Sequence, residues 1–172
     1  MAVTIISRQR RETVDLRGLR RLVSRVLEDH DRGDADVTVV VGGDRLLRRL
    51  NAAYRGVDAP TDVLSFGADG GPAARARRDE APEEILGDVV VSIDRAAAQA
   101  RSRRVTLDRE VRTLVAHGVL HLLGHDHERA GERRRMAALE RGYARATGRP
   151  AAARAPRRRR APRSGRGRQG TR

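Results

Sequence analysis

Leu86–Gly124 reads LGDVVVSIDRAAAQARSRRVTLDREVRTLVAHGVLHLLG, and its interpretation decides the fold. Leu86–Ile93 (LGDVVVSI) is a short, β-branched run of the kind that forms a strand. Asp94–Arg103 has a helical composition. Thr106 then opens a long helix through Leu123, with Leu107, Val111, Leu114 and Val115 on its apolar face. Gly124 stands where a helix is stopped by a residue that tolerates left-handed backbone. A strand followed at once by helices predicts a sheet with helices laid over it.

The same two patterns recur upstream. Val3–Ser7 and Asp36–Val41 (DVTVVV) read as strands. Between them, Leu16, Leu19, Leu22, Val23, Val26 and Leu27 repeat at helical spacing. Asp44 is the expected N-cap of a helix reaching about Tyr54. Thr61–Phe66 (TDVLSF) is a further short strand. Gly67–Glu84 is rich in Gly, Pro and charge and reads as a long exposed loop. A last helix is expected from about Glu128 to Ala146. No internal repeat is evident. The class is therefore α+β, or mixed α/β: a small sheet of about four strands packed with helices, with a metal site on one helix and the turn that follows it.

Composition bounds the partners. The 172 residues suffice for one domain with a core. The formal net charge is +14, and all 37 basic residues are arginine. Guanidinium groups bind phosphate as planar forks, so a polyanion such as nucleic acid is the favoured class of partner. Cysteine is absent, which excludes disulfides and thiolate metal sites. The apolar run before Arg8 is too short for a signal-peptide core, and no stretch approaches the roughly 20 apolar residues of a membrane helix. A cytoplasmic protein is expected. Residues 151–172 hold nine arginines and no acid. With almost no large apolar side chain, that segment is expected to be a disordered basic tail behind a folded domain at 1–150. It is either a solvated end or a non-specific RNA tether.

Four of the five histidines fall in His117-Gly-Val-Leu-His121-Leu-Leu-Gly124-His125-Asp126-His127. His117 and His121, four apart on a helix, share one face. Gly124 lets the chain turn back, and His127 can return as a third ligand. Three protein ligands leave a position open for water, the catalytic rather than the structural arrangement of a zinc-type ion. The spacing H-x3-H-x2-G-x2-H matches that of the metzincin proteases. Those enzymes place a Glu general base directly after the first His, and here that residue is Gly118. Peptide hydrolysis by that route is thus disfavoured.

The segment HGVLHLLGHDH closely resembles the signature of the YbeY family of bacterial endoribonucleases. Asn51-Ala-Ala-Tyr54-Arg55, Thr61–Phe66 and Leu86-Gly-Asp88-Val-Val-Val-Ser92 agree in order, and the resemblance runs from about residue 36 to 146. It implies one Zn2+ on His117, His121 and His127, and cleavage of single-stranded RNA. It also implies maturation of the small-subunit ribosomal RNA 3′ end, ribosome quality control and association with the ribosome. The functional arginine of the family maps onto Arg55. Three features depart from the pattern: His125 stands at a position that is usually Tyr, Gly67 where Pro is usual, and the arginine-rich tail is additional.

Within this resemblance, Arg55 is the candidate fork for phosphate charge and His117 a ligand of the ion, with either the metal-bound water or the RNA 2′-hydroxyl as the attacking group. Asp88, in an apolar strand, is either a carboxylate near the site or a structural residue satisfied by its surroundings. Asp126 either orients a ligand imidazole or caps the next helix. His125 is expected to face solvent unless it orients water or contacts RNA, and His30 is expected to be solvated. Ser65 has no evident paired base and reads as structural. Tyr54, Phe66 and Tyr143 are the only aromatic residues. RNA is therefore held mainly through phosphates, with little base stacking. Two other readings stand beside this one: a metzincin-like metallopeptidase, and a non-catalytic RNA-binding ribosome-assembly factor.

Overall fold

The computed structural model describes residues 3–68, 85–125 and 130–146. Within them the elements are β1 (Val3–Ser7), α1 (Leu16–Glu28), β2 (Asp36–Gly42), α2 (Asp44–Arg55), β3 (Val63–Gly67) and β4 (Ile85–Ser92). α3 (Ile93–Arg103), α4 (Leu107–Leu122) and α5 (Ala130–Ala146) complete the series. Nearly all of the expected loop at 67–84, the start of the last helix at Glu128 and the tail at 151–172 lie outside the described residues.

The strands form one mixed sheet in the order β1-β2-β4-β3. β1, β2 and β4 are parallel, and β3 runs antiparallel to β4 along the sheet edge. Side chains alternate between the two faces of a strand, and that period sorts the core. Val37, Val39, Val41, Val89 and Val91 face one side, packed with α1 residues Leu19, Leu22, Val23, Val26 and Leu27 and with Val111, Val115 and Val119 of α4. Leu64, Phe66 and Val90 face the other side and pack with Leu47 of α2. α4 and α2 therefore lie on opposite faces of one sheet. Leu22 is fully buried, a burial worth roughly 2–3 kcal/mol.

Side-chain caps set the helix starts. Asp15 accepts from the Gly18 N–H at 2.9 Å, Ser92 from Arg95 at 3.3 Å and Thr106 from Arg109 at 3.2 Å. Two expectations are corrected. The N-cap of α2 is Gly43 rather than Asp44. The Asp44 carboxylate is instead taken up at the β4–α3 junction, accepting from the Ser92 hydroxyl at 2.6 Å and from Arg95 at 3.3 Å. β3 begins at Val63 rather than Thr61. The Asp62 carboxylate is occupied by the Thr61 hydroxyl, the Val63 N–H and the Gln99 amide, a local network that competes with ladder geometry.

Candidate metal centre

α4 brings its histidines to the sheet with almost no room to spare. A Cβ added at Gly118 would stand 2.5 Å from Val89 Cγ1 and 3.0 Å from Ser65 Oγ. Ser65 donates to the Gly118 carbonyl at 3.1 Å, so the residue read as structural anchors the helix at its tightest point. Asp62 and Val63 share a cavity with Thr113, Leu114 and His117, whereas Ser65 meets Gly118. The helix thus runs the same way as β3, and His121 falls toward the Gly67 end of that edge strand.

The i, i+4 spacing does what the sequence implies. His117 Nε2 and His121 Nε2 lie 3.1 Å apart, with ring centroids 4.5 Å apart and planes at 80°. His117 Nδ1 is 2.8 Å from Glu140 Oε1. A carboxylate accepts only, so the Nδ1 proton points at Glu140 and the Nε2 lone pair is left for a ligand. Glu140 comes from α5, and nothing in the sequence singled it out. It stands 23 positions beyond His117 and on a different helix, so no helical spacing links the two. Beside His117 lies a cavity of about 410 Å³ lined in part by Asp62, Gln99, Arg103, Arg133 and Glu140. Burial alone would push the Asp62 carboxyl up, but hydrogen bonds from Gln99, Val63 and Thr61 together hold it below the usual carboxylate range.

The donor set is all imidazole nitrogen and carboxylate, which suits a borderline divalent ion such as zinc. Among the described residues, no three His, Asp or Glu side chains gather into a complete metal shell. His127 and Asp126 lie outside the described residues. Gly124, at φ 84°, ends α4 in the left-handed conformation its position implied.

The remaining candidates sit elsewhere. Arg55 ends α2, so it lies across the sheet from His117. It follows Tyr54, whose ring stands 5.0 Å from that of Phe66, near the same end of β3 that His121 approaches. Asp88 is buried at 2% exposure and projects to the α2 face, paired in register with Thr38 and Phe66. His125 does not simply face solvent. Its Nε2 lies 2.9 Å from Nε2 of His30, with the rings edge to face at 88°. His30 Nδ1 in turn donates to the Val26 carbonyl at 2.7 Å, so the expectation of a solvated His30 is also replaced. Burial, then the neighbouring His30 and Arg135, lowers the His125 pKa below its ordinary value.

Comparison with known proteins falls on this same span. The family model described as Endoribonuclease YbeY matches residues 4–148. A protein named endoribonuclease YbeY from Anaeromyxobacter sp. (strain Fw109-5) is 42% identical over 148 residues, covering 86% of this chain and 73% of that protein. Its namesake from Geobacter sulfurreducens is 38% identical over 143 residues, covering 82% and 92%. A solution structure of a Thermotoga maritima protein superposes with a TM-score of 0.57 at 25% identity, covering 85% of this chain and 89% of that one.

Proposed function

Because the chain belongs to the endoribonuclease YbeY family, we infer that it is a hydrolase that cuts RNA phosphodiester bonds internally, in ribosomal RNA processing. The observation that carries the chemistry is the convergence of the His117 and His121 Nε2 atoms, with the His117 tautomer set by Glu140. In this reading His117, His121 and His127 hold one Zn2+, and another divalent transition metal is the alternative occupant. When bound, the ion supplies Lewis-acid chemistry at the phosphodiester.

The protein's own groups do the rest. Glu140 keeps the His117 proton on Nδ1 and fixes the ring plane. Ser65 and Gly118 hold α4 against the sheet, so the two imidazoles keep one position. Arg55 offers a guanidinium fork to phosphate charge from across the β3 edge. Asp88 supports the strand beneath α2. The substrate is single-stranded ribosomal RNA, with maturation of the small-subunit 3′ end and ribosome quality control as the setting and the ribosome as partner. No described helix is long and apolar enough to cross a membrane, and a cytoplasmic location goes with that substrate. Residues 1–150 form the catalytic domain, and 151–172 act as a basic tail.

The peptidase and purely binding alternatives are not favoured. Gly118 occupies the place of the peptidase base, and the contacts at Val89 and Ser65 leave no space for a side chain there. The test is metal analysis beside cleavage of a synthetic single-stranded RNA, wild type against His117→Ala. Metal retention and endonucleolytic cuts in the wild type, both lost in the variant, are expected. Cleavage that survives His117→Ala would sink the assignment. Products ending in a 2′,3′-cyclic phosphate would identify the RNA 2′-hydroxyl, rather than water, as the attacking group.

A further inference from the structure

The carboxyl ends of β1, β2 and β4 open onto a crevice of about 800 Å³, away from the histidines. It is bounded by the chain after β1, the start of α2 and the start of α3. Arg8, Arg10, Arg11, Arg45 and Arg49 line it, with Asp44 and Asp94 as the only acids. Those two carboxylates are already engaged. Asp94 accepts from the Asp44 N–H at 2.8 Å and from Arg11 at 3.2 Å, and Asp44 accepts from Ser92 and Arg95. Arg8, Arg10, Arg45 and Arg49 make no side-chain hydrogen bond or ion pair among the described residues. Arg45 and Arg49 are moreover one helical turn apart, where like charges repel. Four guanidinium groups thus surround one concavity with no ion pair of their own among the described residues.

They do suit a polyanion. We propose that this crevice is a second RNA-contact site, which grips the sugar-phosphate backbone of single-stranded substrate away from the bond that is cut. The proposal rests on the endoribonuclease reading and adds to it where the strand is held. The position fits a continuous path. The crevice lies at the Ser92 end of β4, and His121 lies toward the Gly87 end, roughly 16 Å away at the usual strand rise. α2 spans that interval, with Arg45 and Arg49 at the crevice and Arg55 at the far end. No aromatic side chain lines the crevice, so it reads phosphate rather than base. Open crevices at the carboxyl ends of parallel strands are a recurrent place for ligands in α/β sheets.

The test separates this site from bulk charge. The full chain is compared with Arg45→Gln/Arg49→Gln and with Arg8→Gln/Arg10→Gln. Arg17→Gln/Arg20→Gln, which removes the same charge from the exposed surface of α1, is the control. Binding of a long fluorescent single-stranded RNA is followed in chelator, as a function of salt. Each crevice variant is expected to bind about 10-fold more weakly and to lose roughly 0.7 of salt slope per phosphate contact removed. The control is expected to stay within about 2-fold, since it removes charge but no contact. Equal losses in crevice and control variants would overturn the site, and so would unchanged binding in both crevice variants. Cleavage by the wild type is scored separately with metal present. A protein that shows the binding contrast but never cuts RNA would overturn the nuclease reading and leave the crevice standing.

Discussion

Two imidazole pairs stand in this molecule with nearly the same local geometry and different support. His117 and His121 approach at 3.1 Å, and His30 and His125 at 2.9 Å, each pair edge to face. In each, one ring is tied through Nδ1. For His117 the tie is the Glu140 carboxylate, and for His30 it is the Val26 carbonyl. Either partner orients the ring and raises its basicity, but only the carboxylate adds a full negative charge that offsets a cation. The second pair also has Arg135 close enough to disfavour positive charge on His125. Convergence of two nitrogens is therefore not enough to mark a metal centre. The neighbouring charge distinguishes the pair suited to an ion from the pair that ties the end of α1 to the turn after α4.

The largest effect that tests this contrast is His117→Ala, which should abolish bound metal and lower RNA cleavage by orders of magnitude. Elemental analysis and a single-turnover assay check both. Glu140→Gln keeps the shape but removes the charge, and should weaken metal affinity about 10- to 100-fold, read by competition with a chelator. An unchanged affinity would show that the carboxylate does not separate the two pairs. His30→Ala should shift metal affinity by no more than about 2-fold and cost about 1 kcal/mol of stability, the scale of one net hydrogen bond. A loss of metal as large as that of Glu140→Gln would erase the distinction.

The smallest effect concerns the ground on which His30 stands. Its neighbour Asp29 accepts a hydrogen bond from the Tyr143 hydroxyl at 3.0 Å. Burial, with the Asp29 carboxylate, pushes the Tyr143 phenol up to about 12. A raised acid stabilises the fold below its ordinary value near 10, and that contribution is lost as pH rises from there through about 12. Tyr143→Phe should cost about 1 kcal/mol at neutral pH and flatten that alkaline decline, as measured by denaturant unfolding.

How much of this was legible follows from how far apart the partners lie. His117 and His121 were found because one helical turn joins them, and Gly124 because a helix must stop somewhere. The strands were found as short β-branched runs and the helices from a period of 3.6 residues. Their boundaries slipped at Asp44 and Asp62, where a carboxylate is claimed by distant groups, Ser92 in one case and Gln99 in the other. Glu140 and the His30–His125 contact were invisible, since the latter joins residues 95 apart. The place of β3 at the edge, antiparallel to β4 in an otherwise parallel sheet, is likewise a property of the assembled sheet. The candidate ligand His127 was read from spacing, and it lies outside the described residues.

The contact at Gly118 limits what protein engineering can make of this scaffold. Its histidine spacing invites conversion into a peptidase by the single change Gly118→Glu. The new side chain would have to enter the sheet through Val89 and Ser65, prying the helix off its bed and carrying both imidazoles with it. The exchange that adds the missing base would dismantle the site meant to use it, so a working convert would need a thinner sheet beneath the helix first.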